Sequence, residues 1–305
     1  MAVTTRTGRK DTPAPTPDRR AGGGRPGGGD AAVNVFSHVV LIGWSVMVLV
    51  PFAWALLASV KTSGEIFGSP WSLPESPQWA NFAQAWDKGV GQYLLNSVIV
   101  VTGGVVLTML FGSMAAYVLA RYRFPGNRPL YYLFAAGMMF PVFLAIVPLF
   151  FVVQNLGMLS TYQGLILVYV AYSLPFTVFF MHAFFKTLPT AIAEAAFIDG
   201  CSHSALFFRV MLPMAKPGLI SIGIFNVIGQ WNQWYLPVLL MQPDGGEAKK
   251  APIAQALIDL SVNQGYRSDW SGMFAGLTMA MLPVLAVYII FQRQVQAGLT
   301  GSITK

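Results

Sequence analysis

Long apolar runs separated by short polar segments make up most of this chain. Six of them reach the length of about 20 residues that a helix needs to cross the hydrocarbon core of a bilayer. They cover about residues 34–59, 93–120, 130–153, 164–186, 217–241 and 272–293. Backbone groups in lipid must be hydrogen-bonded within the protein, so each run is predicted to be a helix. The pattern therefore predicts an all-α membrane protein, with six transmembrane helices in one domain, residues 33–300.

The composition agrees with a membrane protein. Of the 305 residues, 55% are hydrophobic and 10% are charged, whereas a soluble domain carries about 25% charged residues. The single cysteine, Cys201, excludes an intrachain disulfide and a multi-cysteine metal site. Residues 1–32 are rich in Gly, Pro, Thr and Arg and lack the apolar positions that a packed core needs. This basic tail is therefore predicted to be disordered.

The net charge of +7 is compatible with two interpretations, a nucleic-acid partner or basic loops on one side of a bilayer. With the N-terminus inside, fourteen of the 19 Lys and Arg residues fall in the inner segments and the other five in the outer ones. The positive-inside rule then puts both termini in the cytoplasm, together with residues 188–217 between the fourth and fifth runs. The basic loops account for the charge, and no nucleic-acid partner is expected.

The fifth run contains a group of polar and aromatic residues. Asn226, Gln230 and Gln233 follow an i, i+4, i+7 pattern and so share one stripe of a helix. Side-chain amides are costly in hydrocarbon without partners, so they either bond to neighbouring helices or line a wet path. Amides beside aromatic rings also suit a sugar, which has hydroxyls and apolar ring faces. The candidate pathway residues are Asn96, Asn226, Gln230, Trp231, Asn232, Gln233 and Trp234.

Other functional classes receive less support. No Lys, Arg, Asp or Glu lies in the middle of a run, whereas ion-coupled carriers usually need an intramembrane ionisable group. A secondary carrier or channel for a small polar solute is therefore disfavoured but stays open. A membrane enzyme is also disfavoured, because His38, His182 and His203 are scattered along the chain and form no ligand set.

The insert at residues 188–217 has the signals of a helix–Gly–helix unit. Thr187 is expected to cap a first helix that has Pro189 at an early position, and Gly200 is expected to end it in a left-handed conformation. Ser202 would start a second helix that ends before Pro213. The unit is either a self-contained hairpin that closes the bundle or an element on which another protein docks.

The spacing within this insert resembles the cytoplasmic EAA loop of ABC-importer permeases. The resemblance rests on Glu194-Ala195-Ala196, Asp199-Gly200, Leu212-Pro213 and Pro217. Elsewhere, Trp231-Asn232-Gln233 with Leu236-Pro237 resembles the carbohydrate-uptake permeases of this class. The chain is similar to the second permease subunit of maltose-type transporters over roughly residues 35–300, which implies the type I importer permease fold.

The resemblance implies a set of partners in a bacterial cell membrane. These are a homologous second permease, two cytoplasmic ATPase subunits that bind ATP and Mg²⁺, an extracytoplasmic solute-binding protein and a sugar. This chain would bind no cofactor itself, and no Gly is followed by Lys, as a Walker A loop requires. The insert would be the coupling element that contacts the ATPase. The residues assigned to coupling are Glu194, Ala195, Ala196, Asp199, Gly200, Arg209, Leu212 and Pro213.

Overall fold

The computed structural model describes residues 28–241, 250–263 and 269–299. Every regular element within these residues is helical, which confirms the predicted all-α class. Contacts divide the chain into two units, Met1–Phe52 and Ala53–Lys305. Within the first unit, the described residues form most of one apolar helix. Residues 1–27 of the predicted tail lie outside the described residues. The first four helices are α1 (Gly28–Ser59), α2 (Ser63–Gly68), α3 (Ala80–Ala85) and α4 (Gly91–Arg121).

The segment around α2 is organised by one buried lysine. Only 1% of Lys61 is exposed, and its ammonium donates to the carbonyl oxygens of Ser69 at 2.8 Å and Pro70 at 3.2 Å. Asn81, on α3, donates its amide to the carbonyl of Lys61 at 2.9 Å. A buried charge is tolerated only when it is hydrogen-bonded in this way, so these contacts fix the path of the segment.

A π-helical turn at Trp86–Val90 joins α3 to α4. Within it, Lys88 forms a 2.6 Å salt bridge with Asp269. Partial burial would raise the pKa of Asp269, but the Lys88 hydrogen bond, the N–H of Gly272 and the charge of Lys88 outweigh it and hold the pKa below its ordinary value.

The third predicted run is not one straight helix. It contains α5 (Asn127–Met139), a 3₁₀ turn (Val142–Ala145) and α6 (Ile146–Asn155), and its two parts are bent by 95°. The bend follows from Pro141, which donates no hydrogen bond and forces the residue before it into an extended conformation. Phe140 accordingly has a ψ of 122°.

After α6 the chain forms a long helix that packs against α4, and the insert follows it. The fifth predicted run is broken between residues 231 and 235, because Pro237 cannot donate to the carbonyl of Gln233 and its ring would clash there. The elements are α7 (Tyr162–Thr187), α8 (Thr190–Ile198), α9 (His203–Met214), α10 (Lys216–Trp231), α11 (Tyr235–Leu240), α12 (Ile253–Asn263) and α13 (Trp270–Leu299).

Length and apolar composition identify the helices that could cross a membrane. Among the described residues there are four, and up to six if each of two bent pairs forms one span. The pairs are α5 with the segment Val142–Asn155, and α9 with α10, which are bent by 95° and 77°. The four candidate spans are Val33–Ser59, Ala80–Arg121, Tyr162–Thr187 and Trp270–Gln294, the second of which contains α3, the π-helical turn and α4.

Helices α4, α7 and α10 pack at the centre of the second unit, and small residues on α4 permit their close approach. A Cβ on Gly112 would lie 2.6 Å from Cγ2 of Thr177 on α7. A Cβ on Gly104 would overlap the amide oxygen of Gln230 on α10. A side chain at Gly112 would push α4 and α7 apart, whereas one at Gly104 would displace the Gln230 amide, so glycine permits the close approach at both positions.

Candidate functional site

A cavity of about 340 Å³ lies among α5, α7 and α10. Its size is within the range of about 300–1,000 Å³ that is usual for small-molecule sites. Three of the predicted pathway residues, Asn226, Gln230 and Gln233, line it from α10 and the residues just after it. The other lining residues are Gly137, Met138, Phe140, Val142, Tyr169, Tyr172, Ser173, Pro175, Phe176, Phe225 and Gly229.

Two of these amides are also part of helix packing. Asn226 donates to the hydroxyl of Thr177 on α7 at 2.9 Å. Gln230 donates to the hydroxyl of Ser173 at 3.1 Å, and its amide oxygen has no donor among the described residues. The packing and pathway interpretations are therefore not exclusive. Each amide makes at least one interhelical hydrogen bond and still lies in the cavity wall.

The remaining polar candidates lie elsewhere. Trp231 is buried against α13, where its indole donates to the carbonyl of Ala280 at 3.2 Å. Asn96 is fully buried, and its amide donates to the carbonyl of Ala251 at 2.9 Å. Asn232 and Trp234 are exposed and are not among the cavity's lining residues. Four of the seven predicted pathway residues are thus placed outside this cavity.

The sequence interpretation missed one side of the cavity, which comes from α7. Tyr169, Tyr172, Ser173 and Phe176 line it together. Their spacing of i, i+3, i+4 and i+7 is the helical stripe that identified the amides of the fifth run, so this signal was present in the sequence. The tyrosine and phenylalanine rings add flat apolar surfaces beside the amide donors and acceptors. A polar ligand with apolar faces fits such a wall.

The insert folds as helix–Gly–helix, as expected, but the expected start of the first helix and the expected end of the second are wrong. Helix α8 begins at Thr190, because Thr187 still belongs to α7 and its hydroxyl bonds within that helix. The second helix, α9, starts after Ser202, whose hydroxyl accepts from the N–H of Ala205 at 3.3 Å. It continues through Pro213 to Met214. A π-helical turn just before the proline widens the backbone and accommodates its ring.

Gly200 makes the turn between the two helices. Its φ is +82°, in the left-handed region, which glycine enters at no steric cost. The N–H of Cys201 donates to the carbonyl of Ala196 at 2.9 Å, which closes the end of α8. The predicted role of Gly200 as a left-handed cap is therefore confirmed.

Helix α8 presents an apolar surface to the outside. It has no buried residue, and 87% of Ile198 and 41% of Phe197 are exposed. Glu194 and Ala195 are exposed with them, whereas Ala196 packs against the protein's own core. The exposed face of α8 therefore contains Ala195 but not Ala196.

Helix α9 fixes the insert to the rest of the protein. Leu206, Phe207 and Met211 are buried in one core cluster with residues of α4 and α7, such as Tyr117 and Phe185. Two polar contacts come from neighbouring residues at the end of α4. Arg121 donates to the carbonyl of Leu188 at 2.6 Å, and the hydroxyl of Tyr122 lies in hydrogen-bond contact with Nδ1 of His203 at 2.7 Å.

The other residues assigned to coupling are at the surface. Arg209 and Asp199 are exposed, Pro213 is exposed and Leu212 is half-buried. Arg209 forms no salt bridge with Glu194 or Asp199 within the described part of the chain. These charged groups remain accessible to a partner.

Comparison with known proteins identifies the family. The profile of the family described as "Binding-protein-dependent transport system inner membrane component" matches residues 108–301, which include the cavity, the insert and the last helix. This chain belongs to that family. Family membership confirms the resemblance seen in the insert and sets aside the carrier, channel and enzyme alternatives. The chain is a permease, the transport subunit of an ABC importer.

Several relatives align with nearly the whole permease. The diacetylchitobiose uptake system permease protein NgcG of Streptomyces coelicolor is 48% identical over 272 residues, with 89% of each chain covered. The probable ABC transporter permease protein YurM of Bacillus subtilis is 32% identical, and the alignment covers 91% of this chain and 89% of YurM. The sulfoquinovosyl glycerol transport system permease protein SmoH of Agrobacterium fabrum is 32% identical, with 83% of this chain and 87% of its own covered.

Solved structures share the fold. A chain from a bacterial ABC transporter involved in the import of the acidic polysaccharide alginate superimposes with a TM-score of 0.77 at 22% identity, and 87% of this chain and 97% of that chain are covered. A chain from the alginate transporter in complex with an alginate pentasaccharide-bound periplasmic protein gives a TM-score of 0.62 at 14% identity. At these identities the likeness concerns the fold alone.

Proposed function

We propose that this permease forms half of the translocation pathway of an ATP-driven importer for a sugar or oligosaccharide, with a homologous second permease as the other half. The support for a saccharide is the 48% identity to a diacetylchitobiose permease, together with relatives of other sugar-related transport systems. The cavity agrees with this substrate class, because amides and aromatic rings can bind the hydroxyls and ring faces of a pyranose. Asn226, Gln230 and Gln233 would contact the sugar as it passes.

The observation that carries the transport mechanism is the fixed connection between the exposed insert and the central helices. Helix α8 offers an apolar face with Ala195 and Ile198, and α9 shares a core cluster with α4 and α7. We infer that α8 docks in a cleft of a cytoplasmic ATPase subunit. Closure of the ATPase dimer would then move the insert and, with it, the helices that form the cavity. ATP and Mg²⁺ bind to the ATPase subunits in this scheme.

The orientation follows from the positive-inside rule. The insert would lie in the bacterial cytoplasm together with both termini, and six spans would cross the inner membrane. The segment that Lys61 organises, and the Lys88–Asp269 salt bridge, would then face the opposite side, where an extracytoplasmic solute-binding protein delivers the sugar. In this arrangement the substrate passes from that side, through the cavity, towards the insert.

The test is reconstitution of the complete importer. The permease is purified with its second permease and ATPase subunits, placed in proteoliposomes and supplied with the binding protein. We expect ATP-dependent uptake of labelled diacetylchitobiose or a related saccharide. Gln230→Leu should reduce uptake, because it removes a cavity amide. Asn232→Leu serves as the matched control, because this neighbouring amide lies outside the cavity. Uptake without ATP, or uptake of amino acids in preference to saccharides, would contradict the proposal.

The coupling step has a separate measurement. Glu194→Ala changes an exposed side chain on α8 and removes no internal hydrogen bond among the described residues. We expect the variant to insert into the membrane normally but to bind the ATPase weakly and to lose uptake. Arg293→Gln, which changes an exposed charge on α13, is the control. Normal ATPase binding and uptake by the Glu194 variant would exclude this role for α8.

A further inference from the structure

A second cavity, of about 810 Å³, lies where the ends of α4 and α7 meet the start of α5. Four basic side chains line it, and no carboxylate is among its lining residues in the described part of the chain. Thr190, the first residue of α8, also lines this basic cavity, but the transport scheme above assigns no role to its basic side chains. The basic lining residues are Arg121, Arg123, Arg128 and Lys186.

The basic residues lie at the ends of membrane-spanning segments. Arg121 is the last residue of α4, Lys186 precedes the last residue of α7, and Arg128 is the second residue of α5. A charge at the end of a span is at the depth of the lipid headgroups. The start of α5 adds the positive end of a helix dipole at the same place.

The basic cavity is held in shape by internal contacts. The amide of Asn127 donates to the carbonyls of Leu119 at 3.0 Å and Tyr122 at 2.8 Å. Gly126, with a φ of +90°, makes the turn into α5. The loop between α4 and α5 is therefore fixed by contacts within the chain, and the cavity does not need a ligand in order to form.

The positive charge is not neutralised within the described chain. Arg123, Arg128 and Lys186 are exposed and form no salt bridge among the described residues. Arg121 is bound to the carbonyl of Leu188 through one terminal nitrogen, while its buried Nε has no acceptor among the described residues. Several donors are therefore available to an external anion.

We propose that this basic cavity binds the phosphate of an anionic phospholipid. Arginine and lysine at headgroup depth are the side chains that recognise lipid phosphates. An apolar surface for the acyl chains is next to them, because Phe124 borders the cavity and Leu130 and Leu133 on α5 are 44% and 66% exposed. The lipid belongs to the cytoplasmic leaflet, an assignment that rests on the orientation proposed above. A soluble phosphate offers the same headgroup chemistry without the acyl chains.

The experiment measures which lipid stays with the purified importer complex. The complex is reconstituted in an equal mixture of phosphatidylglycerol and phosphatidylcholine, extracted in mild detergent and analysed by native mass spectrometry. We expect the wild type to retain phosphatidylglycerol preferentially. The triple variant Arg123→Gln, Arg128→Gln, Lys186→Gln should weaken this retention on the order of 100-fold, since each basic side chain near an anionic surface contributes about fivefold. Higher salt should weaken wild-type retention as well.

Two matched variants separate a binding role from a structural one. Arg293→Gln removes an exposed charge at the end of α13, away from the basic cavity, and should leave retention unchanged. Replacing Arg123, Arg128 or both by Lys keeps the charge and should preserve most of the preference. Should the triple variant fail to assemble, Arg123→Gln alone should still lower retention about fivefold.

Three results would overturn the proposal. One is equal retention of both lipids by the wild type. Another is displacement of phosphatidylglycerol by inorganic phosphate at equal concentration, which would identify a soluble anion as the ligand. The third is a triple variant that keeps its lipid but loses the ATPase subunits, because the basic cavity would then be a protein contact.

Discussion

Three glycines provide a graded test of how closely the central helices pack. A Cβ on Gly112 would lie 2.6 Å from a methyl group of Thr177. On Gly104 it would overlap the amide oxygen of Gln230. On Gly223, in the middle of α10, it would meet no atom within 4 Å. The methyl group of threonine is one bond from Cβ and cannot move far, whereas the amide of glutamine ends a flexible side chain.

The expected magnitudes follow from these surroundings. Alanine is favoured over glycine inside a helix by about 0.5–1 kcal/mol, and at Gly223 this is the whole effect. At Gly104 the displaced Gln230 amide loses its bond to Ser173, which costs about 0.6 kcal/mol in a membrane protein, so the net change is close to zero. At Gly112 overpacking costs about 1–3 kcal/mol, and the helix gain offsets only part of it.

Thermal unfolding of the three alanine variants, purified in one detergent, tests this order. We expect the Tm of Gly223→Ala to equal or exceed that of the wild type, Gly104→Ala to match the wild type, and Gly112→Ala to fall by roughly 2–4 °C for each kcal/mol lost. Gly104→Ala should nevertheless reduce sugar uptake, because it moves a cavity amide. If Gly112→Ala were as stable as Gly223→Ala, the close approach of α4 to α7 would be refuted.

Further predictions concern the insert and the buried lysine. Gly200→Val should strain the turn by about 1–2 kcal/mol and lower the ratio of sugar transported to ATP hydrolysed. Gly200→Asn should preserve most of this ratio, because asparagine tolerates a positive φ. Tyr122→Phe removes the contact with His203 and should lower the same ratio while the Tm hardly changes. Lys61→Met removes the two hydrogen bonds that the ammonium donates to the carbonyls of Ser69 and Pro70, so the segment around α2 should become more sensitive to proteolysis, with a cost of about 1–3 kcal/mol.

Much of the helical organisation could be predicted from apolar run length, but helix breaks could not. Pro51, Pro175 and Pro283 lie inside continuous helices, whereas Pro141 and Pro237 coincide with breaks. All five remove a hydrogen-bond donor. Whether the helix continues depends on how neighbouring groups accommodate the freed carbonyl, which is a property of the assembled bundle. The sequence therefore indicates where a bend is possible without selecting among these positions.

The candidate pathway illustrates a second limit. The stripe Asn226, Gln230 and Gln233 could be predicted because its spacing is fixed by the helix. Trp231 is adjacent to this stripe in the sequence, but its indole is directed towards α13 instead. Asn96 could not be placed either, because the carbonyl of Ala251, to which its amide donates, is 155 positions away. Periodicity assigns residues to a face of a helix, and only tertiary packing determines which face borders a cavity.

Helix α4 contacts the insert at its C-terminal end and the cavity residues near its middle. At its end, Arg121 and Tyr122 are bonded to the two halves of the insert. Further along the same helix, Gly104 and Gly112 touch the side chains of Gln230 and Thr177, the second of which holds Asn226. A rigid helix transmits a displacement along its length, so movement of the insert must either move these contacts at the cavity or disrupt the two bonds at the end of α4 and its packing against α9. Tyr122→Phe tests this directly, because it removes one of these bonds and leaves every residue that lines the cavity among α5, α7 and α10 unchanged.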